Sequence, residues 1–260
     1  MRAQAVAAAE VERLAALVRT ARSVVALTGA GISVPSGIPD FRSPDTGLWR
    51  HVDPMEVAHI DAFHRDPARF WRFYGERFAT LGDKRPNAAH RALVALERAG
   101  MLDAVITQNV DMLHRKAGTA QLVEVHGSIA SCSCQRCEER VTAAQARARL
   151  ASDPDGVPRC GSCGSPLKPD VVLFGELLPT DALERAQELC EGAELLLCVG
   201  SSLEVHPVAG LPKLTHAAGG AVAIITQGPT PLEHLATVRL TGDVVQELGS
   251  VLAALELERP

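Results

Sequence analysis

Four cysteines in two close pairs carry the clearest chemical signal in the sequence. Cys134 and Cys137 are separated by two residues, Cys160 and Cys163 are spaced in the same way, and 22 residues lie between the pairs. This spacing lets two turns present four thiolates to one tetrahedral ion, and it predicts a zinc site. Four sulfur ligands leave no coordination position for a substrate, so the zinc is expected to stabilise a segment too small to fold alone. Cys132 is an alternative ligand in place of Cys134, and a disulfide or four unrelated core thiols are competing interpretations of the cluster.

The expected compartment follows from the other cysteines and from the first residues. Cys190 and Cys198 lie in apolar surroundings and are expected to be buried core thiols. The alanine-rich start has some features of an export signal, but Glu10, Glu12 and Arg13 interrupt it and apolar residues recur at helical spacing. An amphipathic first helix is therefore predicted, and seven cysteines without a signal segment predict a reducing, cytoplasmic location.

A glycine-rich stretch follows the first apolar run, and residues 27–42 read LTGAGISVPSGIPDFR. Gly29 and Gly31 are typical of a turn that lets the backbone approach a dinucleotide pyrophosphate. The third glycine of G-x-G-x-x-G is replaced by Val34, and the acidic ribose partner expected about 20 residues further on is not evident. Both differences weaken an assignment as a hydride-transferring dehydrogenase.

Three further polar groups follow β-rich runs of the sequence. They are Gln108, Asn109 and Asp111 in ITQNVDMLH, His126 and Gly127 in VEVHGS, and Gly200, Ser201 and Ser202 in CVGSSLEVHP. Open α/β sheets bind ligands at the carboxyl ends of their strands, so these residues are expected to share one site. Each group also has a simpler explanation. Asn109 is a candidate helix N-cap with Gly118 as the terminator, a lone histidine is usually structural, and Gly-Ser-Ser is a common turn.

Five short apolar runs predict buried parallel strands at residues 24–28, 104–107, 122–125, 195–199 and 221–226. Helical patterns such as residues 87–98 and 180–190 lie between them. The alternation predicts a doubly wound, mostly parallel Rossmann-like α/β sheet in residues 1–42, 86–130 and 169–260. Residues 43–85 are expected to form a helical insertion and residues 131–168 a zinc-binding insertion. Together these insertions make a small module beside the ligand cleft.

Taken together, these motifs resemble the sirtuin family of NAD-dependent protein-lysine deacylases, of bacterial type. The resemblance runs from the first helix nearly to the C-terminus. It rests on residues 29–33, 37–42, 107–111, 126–127, 169–179 and 200–203 and on both cysteine pairs. Several independent motifs in the same order make the resemblance specific.

The resemblance implies that the chain binds NAD+ as a co-substrate. The cofactor residues implied by the matched motifs are Gly29, Ala30, Gly31, Ile32, Ser33, Asp40, Phe41, Arg42, Gln108, Asn109, Asp111, Gly200, Ser201 and Ser202. Thr226 and Gln227 stand where the family usually has an asparagine against the adenosine ribose, and Asp243 falls on the adenine side. This departure from the family pattern is expected to change the affinity for NAD+.

The reaction implied by the resemblance transfers an acyl group from lysine to ADP-ribose. Ile32, Asn109 and Asp111 would line the nicotinamide pocket, while Phe41 would shield the ribose carbon from water. The acyl oxygen attacks that carbon as nicotinamide leaves. His126 then acts as general base on a ribose hydroxyl, which attacks the imidate carbon. With one water consumed, the products are free lysine, nicotinamide and 2′-O-acyl-ADP-ribose.

The acyl-lysine peptide is expected to lie as an added strand in the cleft. Phe174, Gly175 and Glu176 would flank it on one side and a segment containing Val205 on the other, with backbone hydrogen bonds supplying most of the affinity.

Tyr74 and Arg77 bear on the choice of acyl group, because residues three apart on a helix share a face. In the branch of the family that removes succinyl and malonyl groups, a Tyr-x-x-Arg pair here binds the acyl carboxylate, a task that suits the guanidinium fork. The alternative is an aromatic core stripe that contains Tyr74, with Arg77 in solvent. The sequence leaves the preference open between acetyl and succinyl or malonyl groups.

Two other functions are compatible with the same motifs. One is a mono-ADP-ribosyltransferase, and the other is a non-catalytic, zinc-stabilised NAD-sensing module. The formal net charge of −5 argues against a nucleic-acid partner, and no apolar run reaches the length of a membrane span. A monomer that binds acyl-lysine proteins or peptides is expected.

Overall fold

The computed structural model describes residues 2–40 and 52–258. Its strands are β1 (Val24–Thr28), β2 (Ala104–Thr107), β3 (Leu122–Glu124), β4 (Gly127–Cys134), β5 (Arg140–Thr142), β6 (Leu167–Val171), β7 (Leu195–Val199), β8 (Ala221–Ile225) and β9 (Val238–Leu240). Its α-helices are α1 (Arg2–Thr20), α2 (Pro54–Val57), α3 (Ile60–Arg65), α4 (Pro67–Asp83), α5 (Ala88–Arg98), α6 (Leu113–Ala117), α7 (Ala143–Ser152), α8 (Thr180–Gly192), α9 (Leu211–Ala217) and α10 (Val244–Ala254). Short 3-10 helices cover Ala30–Ser36, Val208–Gly210 and Glu233–Leu235.

The central sheet contains six parallel strands in the order β3-β2-β1-β7-β8-β9. Every residue of β1, β2 and β7 is buried, because helices cover both faces of the sheet. Val25 pairs with Ala104 on one side and with Leu196 on the other. The strand order reverses between β1 and β7, and such a switch point opens a crevice at the carboxyl ends of the strands. The predicted doubly wound fold is confirmed.

Two apolar layers hold helices against the two faces of this sheet. On one face lie α1, α5 and α10, with fully buried Leu14, Leu93 and Leu252. On the other face lie α8 and α9, where Cys190 and Cys198 are buried among aliphatic side chains, as predicted. The predicted amphipathic character of α1 is also confirmed, since its apolar stripe faces the core. No helix within the described residues is both long and apolar enough to cross a membrane.

A second, smaller sheet has three antiparallel strands in the order β5-β4-β6. Its core is continuous with the aromatic side chains of α3 and α4, among them Phe63 and Phe70. Trp71 of α4 donates a hydrogen bond from Nε1 to the Leu167 carbonyl over 2.9 Å. Residues predicted to form two separate insertions therefore pack on one another. The strands of this sheet begin at Gly127 and end at Val171, around the predicted segment 131–168.

Candidate active site

Two glycine-containing loops meet at the switch point of the central sheet. The Gly29 amide donates to the Val199 carbonyl over 3.0 Å, and the Gly31 amide donates to the Gly200 carbonyl over 2.8 Å. A Cβ on Gly31 would lie 2.8 Å from the Gly200 Cα, and a Cβ on Gly200, which has φ +61°, would lie 2.3 Å from the Ile32 amide nitrogen. These glycines are required because the two loops pack backbone against backbone.

The 3-10 helix from Ala30 to Ser36 ends at its C-cap Gly37, which is in the left-handed region with φ 74°. Ile32 and Ser33 are buried in this turn. Asp40 is half-buried at the end of the described segment. Phe41 and Arg42, both predicted to contact NAD+, lie outside the described residues.

Ser33, Asn109 and Asp111 form a hydrogen-bonded group in the crevice. The Ser33 hydroxyl donates to Asp111 Oδ2 over 2.6 Å, and Asn109 Nδ2 donates to the Gly29 carbonyl over 3.0 Å and to Ser33 Oγ over 3.2 Å. Burial raises the pKa of Asp111, and the hydrogen bond from Ser33 opposes part of that rise. The Asn109 amide therefore has one fixed orientation, set by the glycine loop and by Ser33.

The suggested helix-capping role of Asn109 is wrong. The residue before α6 is Met112, in the left-handed region with φ 67°, and the Leu113 amide donates to Asp111 Oδ1 over 2.8 Å. Gly118 ends α6 with φ 93°, as expected. Asp111 therefore supplies the local cap, which leaves Asn109 directed at the glycine loop.

His126 stands between the two sheets with one ring nitrogen fixed. Its Nδ1 lies 3.0 Å from the Gln108 carbonyl oxygen, which can only accept, so Nδ1 carries the proton and Nε2 keeps its lone pair. Burial lowers the pKa of His126, and the hydrogen bond to Gln108 opposes part of that change. Gly127 follows with φ +73°, and a Cβ there would lie 2.1 Å from the Asp170 carbonyl oxygen. The site thus holds a neutral imidazole with a free acceptor nitrogen.

The Gly-Ser-Ser turn after β7 is tied to the same group. Gln108 Nε2 donates to Ser201 Oγ over 2.9 Å, and the Leu203 amide donates to the same hydroxyl over 3.2 Å. Ser201 is buried and Ser202 is half-buried beside it. Gln108 therefore links the His126 ring to the Gly-Ser-Ser turn.

The predicted adenosine residues lie at the carboxyl ends of β8 and β9. The Gly200 amide donates to the Ile225 carbonyl over 2.9 Å, which places the Thr226 loop beside the Gly-Ser-Ser turn. Gln227 is exposed in this loop. Asp243 is the N-cap of α10, and its Oδ1 accepts from the amides of Val245 and Gln246.

A cleft of about 330 Å³ runs between the two sheets. On the side of the large sheet it is lined by Ala30, Ser33, Gln108, Asn109, Asp111 and His126. The small module contributes Tyr74, Phe78 and Leu81, and the segments after β2, β6 and β7 contribute Val110, Phe174, Gly175, Glu176 and Val205. The structure therefore brings the predicted catalytic residue, five of the predicted cofactor residues and five of the six predicted substrate residues to one cavity.

Tyr74 and Arg77 differ in their relation to this cleft. Tyr74 lines the cleft and stacks on Phe78, with ring centroids 5.1 Å apart. Burial raises the pKa of Tyr74 to about 12, and the positive charge of Arg77 opposes part of this rise. The Arg77 guanidinium lies 4.8 Å from the centre of the Phe73 ring. Tyr74 is therefore both a cleft residue and a member of the aromatic stripe.

The segment after β6 is anchored from two directions. The Phe174 amide donates to the Ala58 carbonyl over 2.9 Å, and the Phe174 carbonyl accepts from the Ile60 amide over 3.0 Å. Glu176 Oε2 accepts from the Leu173 amide over 2.8 Å and forms an ion pair of 2.9 Å with Lys168 Nζ. The Glu176 carboxylate thus holds its own loop in shape.

Cys134, Cys137, Cys160 and Cys163 form one cluster whose sulfur atoms all lie within 4.8 Å of one another. The two closest pairs, Cys134 with Cys163 and Cys137 with Cys160, have sulfur separations of 3.5 and 3.4 Å. Four thiolates at these separations suit the tetrahedral coordination of zinc. Cys132 lies outside the cluster, in the apolar core of the small module. The four cysteines predicted as zinc ligands are therefore the four that the fold brings together.

A model of the protein family described as the Sir2 family matches residues 29–207 of this chain. The chain belongs to the Sir2 family. This sirtuin is 43% identical over 230 residues to an NAD-dependent protein deacetylase of Thermotoga maritima, which covers 88% of this chain and 92% of that protein. It is 40% identical over 240 residues to NAD-dependent protein deacylase 1 of Archaeoglobus fulgidus, with 91% and 96% covered.

Solved Sir2 structures share the fold of this sirtuin. A complex of Sir2 with a p53 peptide and NAD+ matches it with a TM-score of 0.86 at 41% identity, over 93% of this chain and 96% of that one. A Sir2 complex with a deacetylated p53 peptide and 3′-O-acetyl ADP-ribose matches with a TM-score of 0.90 at 40% identity, over 95% and 98%.

Sequence reasoning missed two charged residues of this sirtuin that bind loops carrying predicted site residues. Lys168 is buried and pairs with Glu176, and Arg239 binds carbonyl groups of the loop after β8. The one available signal for Lys168 was a lysine within an otherwise apolar stretch before Pro169. Arg239 lies on a strand of three residues, too short to be recognised from its pattern.

Proposed function

We propose that this sirtuin is an NAD-dependent protein-lysine deacylase that transfers the acyl group to ADP-ribose and releases nicotinamide. The observation that carries the proposal is the cleft in which His126, Asn109 and Asp111 face one another beside the glycine loop. Relatives that bear the names NAD-dependent protein deacetylase and deacylase support it.

We assign the nicotinamide end of NAD+ to the group around Ser33. Asn109 presents a fixed amide, and Asp111 is held beside it by the hydrogen bonds that its carboxylate accepts from Ser33 and Leu113. Ile32 is fully buried in the core beside the glycine loop, and its assignment to the nicotinamide pocket follows from the family resemblance. Gly29, Gly31 and Gly200 would bring the backbone close to the pyrophosphate, and the remaining predicted cofactor residues follow the resemblance described above.

We assign the general-base step to His126. With Nδ1–H committed to the Gln108 carbonyl, Nε2 is free to accept the proton of a ribose hydroxyl. The lowered pKa keeps the imidazole neutral at pH 7, which a base requires. The backbone carbonyl of Gln108 fixes the tautomer and its side-chain amide holds Ser201, so one residue orders both the base and the turn beside it.

We place the acyl-lysine peptide between the 174–176 segment and the 203–205 segment. Phe174 uses its amide and carbonyl toward Ala58 and Ile60, so Gly175 is the residue whose backbone faces the cleft. Gly175 has φ +86°, and a Cβ there would lie 2.7 Å from His59 Nε2. Glycine is therefore required here because the backbone is left-handed and packs against the His59 ring.

The four-cysteine cluster would hold one zinc ion with a structural role. When bound, the ion supplies four bonds that cross-link the turn after β4 to the turn before β6. The division into the Rossmann-like domain and two insertions stays a prediction, as do the monomeric state, the cytoplasmic location and the absence of a nucleic-acid partner.

The test measures NAD+ consumption, nicotinamide release and peptide mass with acetyl-lysine peptides. We expect His126→Ala to reduce turnover by about 10²–10⁴-fold, the usual contribution of a general base. Because the base must be neutral and burial lowers its pKa, kcat/KM of the wild type should fall only on the acid side of 6.5, the ordinary value.

His216→Ala is the matched control, since His216 is exposed on α9 and should leave turnover unchanged. Full activity of His126→Ala would contradict the assigned base. Nicotinamide release that needs no acyl-lysine would instead favour the ADP-ribosyltransferase. Unchanged NAD+ with every acyl peptide would favour the sensing module.

For the acyl group we propose a preference for acetyl and other short uncharged chains. The cleft wall near Tyr74 is formed by Phe78, Leu81 and Val110, and the Arg77 guanidinium lies over Phe73. A succinyl carboxylate in that wall would be poorly solvated, so we expect acetyl-lysine to exceed succinyl-lysine in kcat/KM by at least about tenfold.

Arg77→Met should leave acetyl-lysine turnover within about twofold of the wild type, because Arg77 is half-buried over Phe73 and does not line the cleft. Arg72→Met, an exposed arginine on the same helix, is the control. If the wild type removes succinyl as well as acetyl, and Arg77→Met loses succinyl alone, Tyr74 and Arg77 bind a carboxylate and the preference stated here is wrong.

A further inference from the structure

The loop after β8, residues 226–228, is bound by the guanidinium group of Arg239. Arg239 NH1 donates to the Thr226 carbonyl over 2.6 Å and to the Leu240 carbonyl over 2.6 Å, and NH2 donates to the Gly228 carbonyl over 2.6 Å. A weaker contact of 3.4 Å reaches the Ile224 carbonyl. One cation thus binds both ends of a three-residue loop.

The placement of Arg239 follows from strand register. Arg239 is opposite Ile224 in the parallel pair of β8 and β9, and its hydrogen bonds to Thr226 and Gly228 place the guanidinium group against the loop that leaves β8. The side chain is 20% exposed, and Nε lies 3.5 Å from Glu233 Oε1. Three short hydrogen bonds to neutral carbonyls, made by a largely buried cation, fix the conformation of a loop whose Gln227 and Gly228 are exposed.

We propose that Arg239 is a positioning residue for NAD+, which holds the 226–228 loop in the shape that receives the adenosine end. The inference rests on the proposed function, in which Thr226 and Gln227 contact that end. The loop lies beside the Gly-Ser-Ser turn through the bond from Gly200 to Ile225. Arg239 binds carbonyl groups of the loop, so it acts on the cofactor indirectly, through Thr226 and Gln227.

Arg239 lies far from the residue that is assigned to the chemical step. His126 follows β3 at one edge of the six-stranded sheet, and Arg239 lies on β9 at the other edge. Five strand spacings correspond to roughly 24 Å. A change at Arg239 should therefore weaken NAD+ binding while the chemical step at saturating NAD+ is kept.

The experiment compares Arg239→Gln and Arg239→Lys with wild type. We expect Arg239→Gln to raise KM for NAD+ by about tenfold, the effect of losing one charged hydrogen bond, and to change kcat and the peptide KM by less than about twofold. Arg239→Lys restores a cation with fewer donors and should recover part of the loss. Calorimetry with NAD+ alone should give a parallel loss of affinity. Arg185→Gln on α8, which removes an arginine 57% exposed, is the matched control.

An unchanged KM and an unchanged affinity for NAD+ in Arg239→Gln would overturn the inference. The inference would also be overturned if Arg239→Gln lowered kcat, raised the KM values for both NAD+ and the peptide, and lowered the melting temperature. That pattern indicates general destabilisation. If the wild type binds NAD+ but deacylates nothing, the proposed function fails, and the calorimetric comparison still decides the role of Arg239. Absence of NAD+ binding by the wild type would overturn both.

Discussion

Removal of zinc is expected to abolish deacylation and to unfold the small sheet. The small module joins short strands around a modest core, and structural zinc contributes about 10–16 kcal/mol in comparable peptides. The effect should reach the active site, because the Val172 amide, next to β6, donates to the His126 carbonyl over 2.9 Å. Activity, zinc content and circular dichroism after treatment with a chelator measure the three consequences together.

Two variants sharpen this test. Cys137→Ser removes a ligand and should give protein with little zinc and no turnover. Cys132→Ala should keep one zinc per chain, because Cys132 lies in the apolar core and not in the cluster. Added zinc should restore chelated protein, whereas magnesium, which prefers oxygen ligands, should not. Full activity in zinc-free protein, or loss of zinc in Cys132→Ala, would contradict the structural assignment.

The strands of the large sheet were predictable because they are buried on both faces. The runs at 24–28, 104–107 and 195–199 match β1, β2 and β7 residue for residue, since nearly continuous apolar stretches have no other place in such a fold. Two predicted runs are one residue too long, at Val125 and Thr226. At both residues the chain leaves the strand and enters the site. Burial at these positions does not show where the pairing between strands ends.

The small sheet was not predictable from pattern. The sequence of β4, GSIASCSC, mixes small and polar residues, and its register with β6 is irregular between Gly127 and Cys132. The cysteine spacing predicted the metal cluster correctly but carried no information about the strands that support it. The short β9, of three residues, was missed for the same lack of signal.

The location of the site in the fold could be predicted from the sequence, but the contacts between its side chains could not. Parallel strands bring their carboxyl ends to one edge, so the gathering of Gln108, His126 and Ser201 followed from topology. The hydrogen bond from Gln108 to Ser201 and the tautomer of His126 depend on side-chain positions that spacing does not encode. The same holds for the packing of Gly31 on Gly200, which gives these glycines a role beyond an approach to phosphate.

Replacing Lys168 by methionine is expected to lower the free energy of unfolding by about 3 kcal/mol. Lys168 Nζ pairs with Glu176 Oε2 at 2.9 Å and donates to the Val171 carbonyl over 2.8 Å, with its side chain 7% exposed. Removing one partner of a buried ion pair typically costs about 3–5 kcal/mol, and the lower figure applies because Glu176 is 22% exposed. Urea unfolding measures the change.

The same variant should raise the peptide KM, because the Lys168–Glu176 pair shapes the loop that places Phe174 and Gly175 on the cleft. The double variant Lys168→Met/Glu176→Gln should recover most of the lost stability. It leaves no unpaired charge, and the amide oxygen of glutamine can still accept from the Leu173 amide.

Arg185→Met is the control, since the Arg185–Glu188 pair lies on the surface, with side chains 57% and 67% exposed, and should contribute less than about 1 kcal/mol. If Lys168→Met is no more destabilising than Arg185→Met, the buried pair does not anchor the loop. If the double variant is no more stable than Lys168→Met alone, the loss comes from the packing of the lysine stem and not from an uncompensated Glu176 charge. In that case the carboxylate is held by the Leu173 amide alone, and the small module needs no ion pair to shape the peptide edge of the cleft.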